Sequence, residues 1–134
     1  ILREDITVSD VISPNSWTVR GRLTEDARSN KRKDSEDVIT NFRLAVNEPK
    51  FINGEIESRE RYYNVSVFDA AIAAQFKDLK KGDRIQVTGQ AEMRLNKWKD
   101  QATGEYRERW NLECHVSGDF AGFGVEVLET KAAA

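Results

Sequence analysis

The sequence predicts an all-β domain interrupted by one short helix. Three observations carry that prediction: five stretches alternate apolar and polar residues, one stretch switches to helical spacing, and charged or turn-forming segments separate them. Hydrophobic residues make up 39% of the 134 residues and charged residues 33%, enough apolar material for a single folded core.

The strands follow in order. Over 16–23, Trp17, Val19 and Leu23 alternate with Thr18, Arg20 and Arg22. Over 37–47, Val38, Thr40, Phe42, Leu44 and Val46 share a face opposite Asn41, Arg43 and Asn47. The run 61–68 sets Tyr63, Val65 and Val67 against Tyr62, Asn64, Ser66 and Phe68. The run 84–95 sets Ile85, Val87, Ala91, Met93 and Leu95 against Arg84, Gln86, Thr88, Gln90, Glu92 and Arg94. Over 105–116, Tyr106, Trp110, Leu112, Cys114 and Val116 alternate with Arg107, Arg109, Asn111 and Glu113. The exception is 70–79, where Ile72, Ala73, Phe76 and Leu79 fall on one helical face. Asp69 stands at the N-cap position, Lys80 and Lys81 suit the negative end of the helix dipole, and Gly82 suits the C-terminal cap.

Between these lie a charged loop over 25–36 containing Lys31-Arg32-Lys33, a polar loop over 48–59 interrupted by Phe51 and Ile52, and a hairpin loop over 96–104. Weak alternation over 6–12 and 124–129 suggests an accessory strand pair. Residues 1–14 are read as an N-terminal extension, 15–118 as the domain and 119–131 as a C-terminal extension. The alanines 132–134 are set aside as a remnant.

The net charge of −2 argues against a generic basic nucleic-acid binder, but it is unevenly spread. Residues 1–14 carry −2 and 113–134 carry −3, which leaves +3 for 15–112. One cysteine, Cys114, makes neither an internal disulfide nor a cysteine zinc site and points to a reducing, cytoplasmic setting. No apolar run approaches the ~20 residues a bilayer span needs, and no secretory signal is readable. His115 is the single histidine, so a histidine triad or metal cluster rests on it alone; a strand histidine facing a neighbour is the simpler reading. No glycine-rich phosphate loop is present, and the carboxylates are scattered among bases. The expectation is a non-enzyme without cofactor or metal. A nuclease, which needs clustered carboxylates and magnesium, is the least favoured class.

The aromatic residues say more. Trp17, Phe42, Phe76 and Trp110 follow the apolar parity and are expected in the core. Tyr62 and Phe68 share the polar parity of Asn64 and Ser66. Trp98, between Lys97 and Lys99, stands in a poor setting for a core tryptophan, and Phe51 beside Lys50 is similar. Packing beneath a loop or at an oligomer interface is the ordinary alternative for such residues. Interleaved with Arg20, Arg22, Arg43, Arg94, Lys97 and Lys99, displayed aromatics suit one ligand especially well: unpaired bases stack on the rings while cations meet the phosphates.

These residues resemble the bacterial-type single-stranded DNA-binding protein (SSB) family from about Asn15 to Gly118. The resemblance rests on Val19-Arg20-Gly21-Arg22-Leu23-Thr24, Asn41-Phe42-Arg43-Leu44-Ala45-Val46-Asn47, Tyr62-Tyr63-Asn64-Val65-Ser66-Val67-Phe68, Leu79-Lys80-Lys81-Gly82-Asp83, Val87-Thr88-Gly89-Gln90 and Lys97-Trp98-Lys99-Asp100-Gln101-Ala102-Thr103-Gly104-Glu105-Tyr106. It implies an OB-fold: a five-stranded Greek-key barrel with a helix between the third and fourth strands. It further implies a nucleoid-associated homotetramer that coats single-stranded DNA without sequence specificity during replication, recombination and repair. By resemblance, stacking falls on Tyr62, Phe68 and Trp98, basic contacts on Lys81, Arg94 and Lys97, and a subunit contact on Tyr63.

Lys50-Phe51 stands where relatives often carry a tryptophan, Asp69 where they carry a base, and 1–13 extend beyond their usual start. The family's acidic tail ending in Pro-Phe, which recruits repair and replication proteins, does not follow Lys131. The competing reading is an OB-fold adaptor of the replication and repair machinery whose aromatics bind protein. RNA remains open as a ligand, because stacking does not read the sugar.

Overall fold

Val19, Leu23, Phe42, Leu44, Val65, Val67, Ile85, Val87, Cys114 and Val116 lie on the inward parity of five strands and close one buried core. Each large aliphatic or aromatic side chain among them, fully buried, contributes about 1.5–3 kcal/mol, so parity alone selects the face turned inward. The computed structural model describes residues 15–31, 37–118 and 122–131. Among them the order is β1 (Trp17–Leu23), β2 (Arg28–Lys31), β3 (Val38–Ile52), β4 (Glu55–Val67), α1 (Ala70–Gln75), β5 (Arg84–Lys99), β6 (Tyr106–Val116) and β7 (Gly124–Glu129).

The neighbours run β1-β3-β4-β6-β5, and β1 returns to pair with β5, which closes a five-stranded Greek-key barrel. Within the barrel β4 and β6 are parallel, and the other pairs are antiparallel. This is the OB-fold. Where β5 crosses β6, a Cβ on Gly89 would sit 2.6 Å from the His115 carbonyl oxygen, so glycine permits the close approach. The helix packs against the barrel through Ala73, whose carbonyl accepts the buried Thr40 hydroxyl at 2.8 Å. Asp69 caps it as expected, accepting the Ile72 N–H at 3.0 Å. The helix stops at Gln75 rather than continuing to residue 79. Past Phe76 the backbone is held by other partners: Leu79 O accepts from Ala27 N, and the Asp83 carboxylate accepts from Lys80 N.

Three sequence expectations are corrected. The segment 48–59 is no loop: β3 and β4 stay in register from Thr40↔Val67 to Ile52↔Glu55 around a turn at Asn53-Gly54. Both turn residues take positive φ, 51° and 81°, as a tight two-residue hairpin turn requires. Likewise β5 runs on to Lys99, so Trp98 stands in a strand opposite Arg107 rather than in a hairpin loop. Finally, Trp110 and Met93 are not core residues; they are 60% and 58% exposed. They keep the inward parity, but the β5–β6 ribbon has outrun the barrel and no second layer lies beneath it among the described residues.

The charged segment 25–36 contributes the short strand β2, paired with β3. Strand β7 pairs with β5; its expected partner over 6–12 lies outside the described residues. Since β4 and β6 pair only from Asn64↔Glu113 to Val67↔Val116, the β3–β4 and β5–β6 hairpins part beyond that point and project as two arms.

Candidate nucleic-acid interface

Register turns the polar parity of the five barrel strands to the outside of the barrel. Arg20 stands opposite Gln86, Arg43 opposite Asn64, Arg94 opposite Asn111 and Trp98 opposite Arg107. Residues paired in this way project to the same side of a sheet. Arg20, Arg22, Arg43, Tyr62, Arg94 and Trp98 therefore all project outward, as does Phe68 beside the outward His115, and all of them stand out in the sequence.

Tyr62 is half exposed, and the Arg43 guanidinium lies over its ring, 5.2 Å from the centroid. Its phenol donates to the Glu60 carboxylate, and that bond, reinforced by the negative charge, holds the Tyr62 pKa above its ordinary value. The ring is thus a neutral, pre-oriented face. Phe68 is less open than parity suggests: it is half-buried, and its ring meets His115 edge-on at 5.0 Å. His115 in turn lies 3.0 Å from the buried Glu113 carboxylate, which also faces Arg94 at 3.7 Å. Trp98 is 46% exposed on the second arm. On the first arm Phe51, 72% exposed, stands opposite the equally bare Ile56 and forms an apolar tip on the face that carries Tyr62.

The cations divide by geometry. Arg20 donates twice to the Gln86 side-chain oxygen, at 2.7 and 3.1 Å, which fixes its head without neutralising it. Arg22 donates to the Gly82 carbonyl at 3.0 Å and pairs with Glu129 at 3.4 Å. Lys81 is exposed beyond the helix, where its backbone N–H donates to Asp26. Lys97 and Lys99 lie opposite Glu108 and Tyr106, on the reverse face of the arm from Trp98. Neighbours in a strand point to opposite sides, so flanking in sequence is not flanking in space. Tyr63 faces away from this surface, packs edge-on against Trp17 at 5.0 Å, and donates to Glu48; this bond and burial raise its pKa.

Arg107 and Arg109 do not stand out in the sequence as site residues. The missing signal is register: once β5 is a strand to Lys99, both arginines join the face of Trp98 and Arg94. Arg107 is tied to Asp100 at 2.7 Å. Among the described residues no group of three or more His, Cys, Asp or Glu is arranged to hold a metal ion.

The solved structure of the Plasmodium falciparum SSB in complex with ssDNA shares this fold, with a TM-score of 0.66 and 22% identity over 87% of this chain and 96% of that one. A curated relative, the single-stranded DNA-binding protein of Borreliella burgdorferi, is 28% identical over 98 residues, 73% of this chain; the chain spans 64% of that relative's length. The single-strand binding protein family model matches residues 14–117. On that match, which covers the whole barrel and both arms, the chain belongs to the single-strand binding protein family.

Proposed function

We propose that the chain binds single-stranded DNA without sequence specificity, stacking bases on Tyr62, Phe68, Trp98 and Phe51. Arg20, Arg22, Arg43 and Arg94 meet the phosphates across the outer face, with Lys81, Lys97 and Lys99 at its margins. The observation that supports this reading is the outward projection of exposed aromatics and arginines from paired strands, with Arg43 seated over Tyr62. Each base–ring stack is worth about 1–3 kcal/mol and tolerates any base. The names of the matched relatives, one solved with ssDNA, support it.

Coating and protection of exposed strands in replication, recombination and repair follow from that binding as its cellular role, in the cytoplasm at the nucleoid. A homotetramer with Tyr63 near a subunit contact, and recruitment of repair proteins, belong to the same proposal. No catalytic role is assigned. Tryptophan fluorescence titrated with oligo-dT tests the reading: we expect quenching that excess duplex does not reverse. Unchanged fluorescence with no gel shift at low salt overturns it, and capture of proteins unaffected by oligo-dT favours the adaptor reading instead.

A further inference from the structure

We infer that His115 is a titrating phosphate contact beside Phe68, and that the buried Glu113 carboxylate is a positioning residue that divides its charge between His115 and Arg94. The inference rests on the proposed single-strand binding and adds to it a dependence on pH.

Glu113, His115 and Arg94 share the outward parity of β5 and β6. Glu113 is 5% exposed, and one of its carboxylate oxygens lies 3.0 Å from His115 Nε2 and 3.7 Å from Arg94 Nη1. A buried carboxylate is costly to leave uncompensated, so both partners are held toward it. An ionised carboxylate only accepts, which puts the imidazole hydrogen on Nε2 and leaves Nδ1 a bare lone pair when the ring is neutral. Nδ1 has no hydrogen-bond partner among the described residues, and the side chain keeps 21% of its surface in solvent. The ring also meets Phe68 edge-on at 5.0 Å, so a nucleotide stacked on Phe68 has its phosphates near the imidazole.

On β6 the imidazole faces Glu113. On β5 it faces Gln90, directly opposite, with Glu92 opposite Glu113 and Arg94 one step further. On β4 it faces the neutral Ser66, which donates to Asn41 of β3, with Asn64 and Phe68 to either side. Asp69 follows Phe68 and is bonded to the Ile72 N–H at the helix cap. Histidine ordinarily changes charge between about pH 5 and 8, so a single proton alters this group. Neutral, the ring presents a lone pair that repels a phosphate oxygen, and Glu113 draws Arg94. Protonated, Nδ1–H becomes a donor to phosphate, the imidazolium balances Glu113, and the Arg94 guanidinium is released to a second phosphate. Binding therefore tightens as pH falls.

The test titrates oligo-dT into wild type, His115→Gln and Glu113→Gln at pH 6 and pH 8 at matched ionic strength, with melting temperatures recorded at both. Wild type binds about 3- to 10-fold more tightly at pH 6, with a slope of log affinity against log salt steeper by about 0.7 for each phosphate gained. His115→Gln binds equally at the two pH values. Glu113→Gln no longer holds Arg94 by charge, so it binds more tightly than wild type at pH 8 and gains less at pH 6. A flat wild-type profile, or a gain at pH 6 undiminished in His115→Gln, overturns the titrating contact while leaving the wider reading intact. Weaker binding of folded Glu113→Gln at both pH values overturns the positioning role. If Glu113→Gln does not fold, Arg94→Gln decides in its place: its gain at pH 6 is smaller than that of wild type, and an equal gain overturns the divided charge. If wild type binds oligo-dT at neither pH, the reading beneath the inference falls, and the inference with it.

Discussion

Arg43 and Tyr62 sit diagonally across β3 and β4, and the guanidinium covers the phenol ring at 5.2 Å. The cation occupies one face of the ring, so a base stacked there as proposed would have to displace the guanidinium. Tyr62→Ala is expected to weaken oligo-dT binding by about 1–3 kcal/mol. Tyr62→Phe retains it, since the phenol oxygen is engaged with Glu60 rather than with the stacking face. Arg43→Ala lowers the slope of log affinity against log salt by about 0.7 at smaller cost in affinity. Thermal melting of all three, measured alongside, stays near wild type because both residues are exposed.

Trp98 and the lysines beside it separate by face. Trp98→Ala is expected to cost about 1–3 kcal/mol of binding with the fold intact. Lys97→Ala and Lys99→Ala, on the reverse side of the ribbon, change chiefly the salt slope. Isothermal titration of the three variants at two salt concentrations distinguishes the effects. Equal losses for tryptophan and lysine contradict the stacking role.

The β5–β6 turn carries an acid-sensitive clasp. Asp100 accepts N–H groups from Ala102 at 2.8 Å and Thr103 at 3.3 Å and pairs with Arg107 at 2.7 Å. The backbone bond from Ala102 and then the Arg107 contact hold its carboxyl below the ordinary 3.8. A lowered carboxyl pKa means stabilisation that is full above the unfolded value and lost as pH falls through the lower folded one. Amide exchange at Ala102 and Thr103 is therefore expected to be slow near neutrality and to lose protection only in strong acid. In Asp100→Ala that protection, taken relative to the intrinsic exchange rate, is absent at every pH, and protection unchanged in that variant contradicts the clasp.

Cys114 lies in the barrel core, where burial pushes its thiol up to about 11. At pH 8 almost no thiolate forms, so the thiol is expected to resist alkylation in the native protein and react at once in denaturant. Rapid labelling of folded protein contradicts the core placement.

Period-two alternation made the barrel legible because each barrel strand has one dry face and one wetter one. Val87 against Gln86 and Ile85 against Arg84 need no tertiary knowledge to assign. The arms were hidden for the converse reason. A ribbon solvated on both sides has no apolar parity to reveal, so the pairing of Glu48 with Arg59 reads as a loop. One cue was available: Asn53-Gly54 is a hairpin dipeptide, and it marks the turn of the first arm. Trp110 misled in the opposite sense, since its parity continues that of Cys114 while the layer that would bury it does not continue. Tyr62 and Trp98 were legible as displayed rings; Arg109 and Asn111 depended on a register that only the folded ribbon reveals.

If stacking on the outer face supplies much of the affinity and phosphate contacts a modest share, the salt dependence of oligo-dT binding shows it most directly. With about three to five phosphates neutralised per protomer, the log–log slope is expected near −2 to −3.5, with binding and tryptophan quenching still measurable at about 1 M salt. A slope steeper than about −7, with binding and quenching abolished at that salt, contradicts stacking as the main source of affinity.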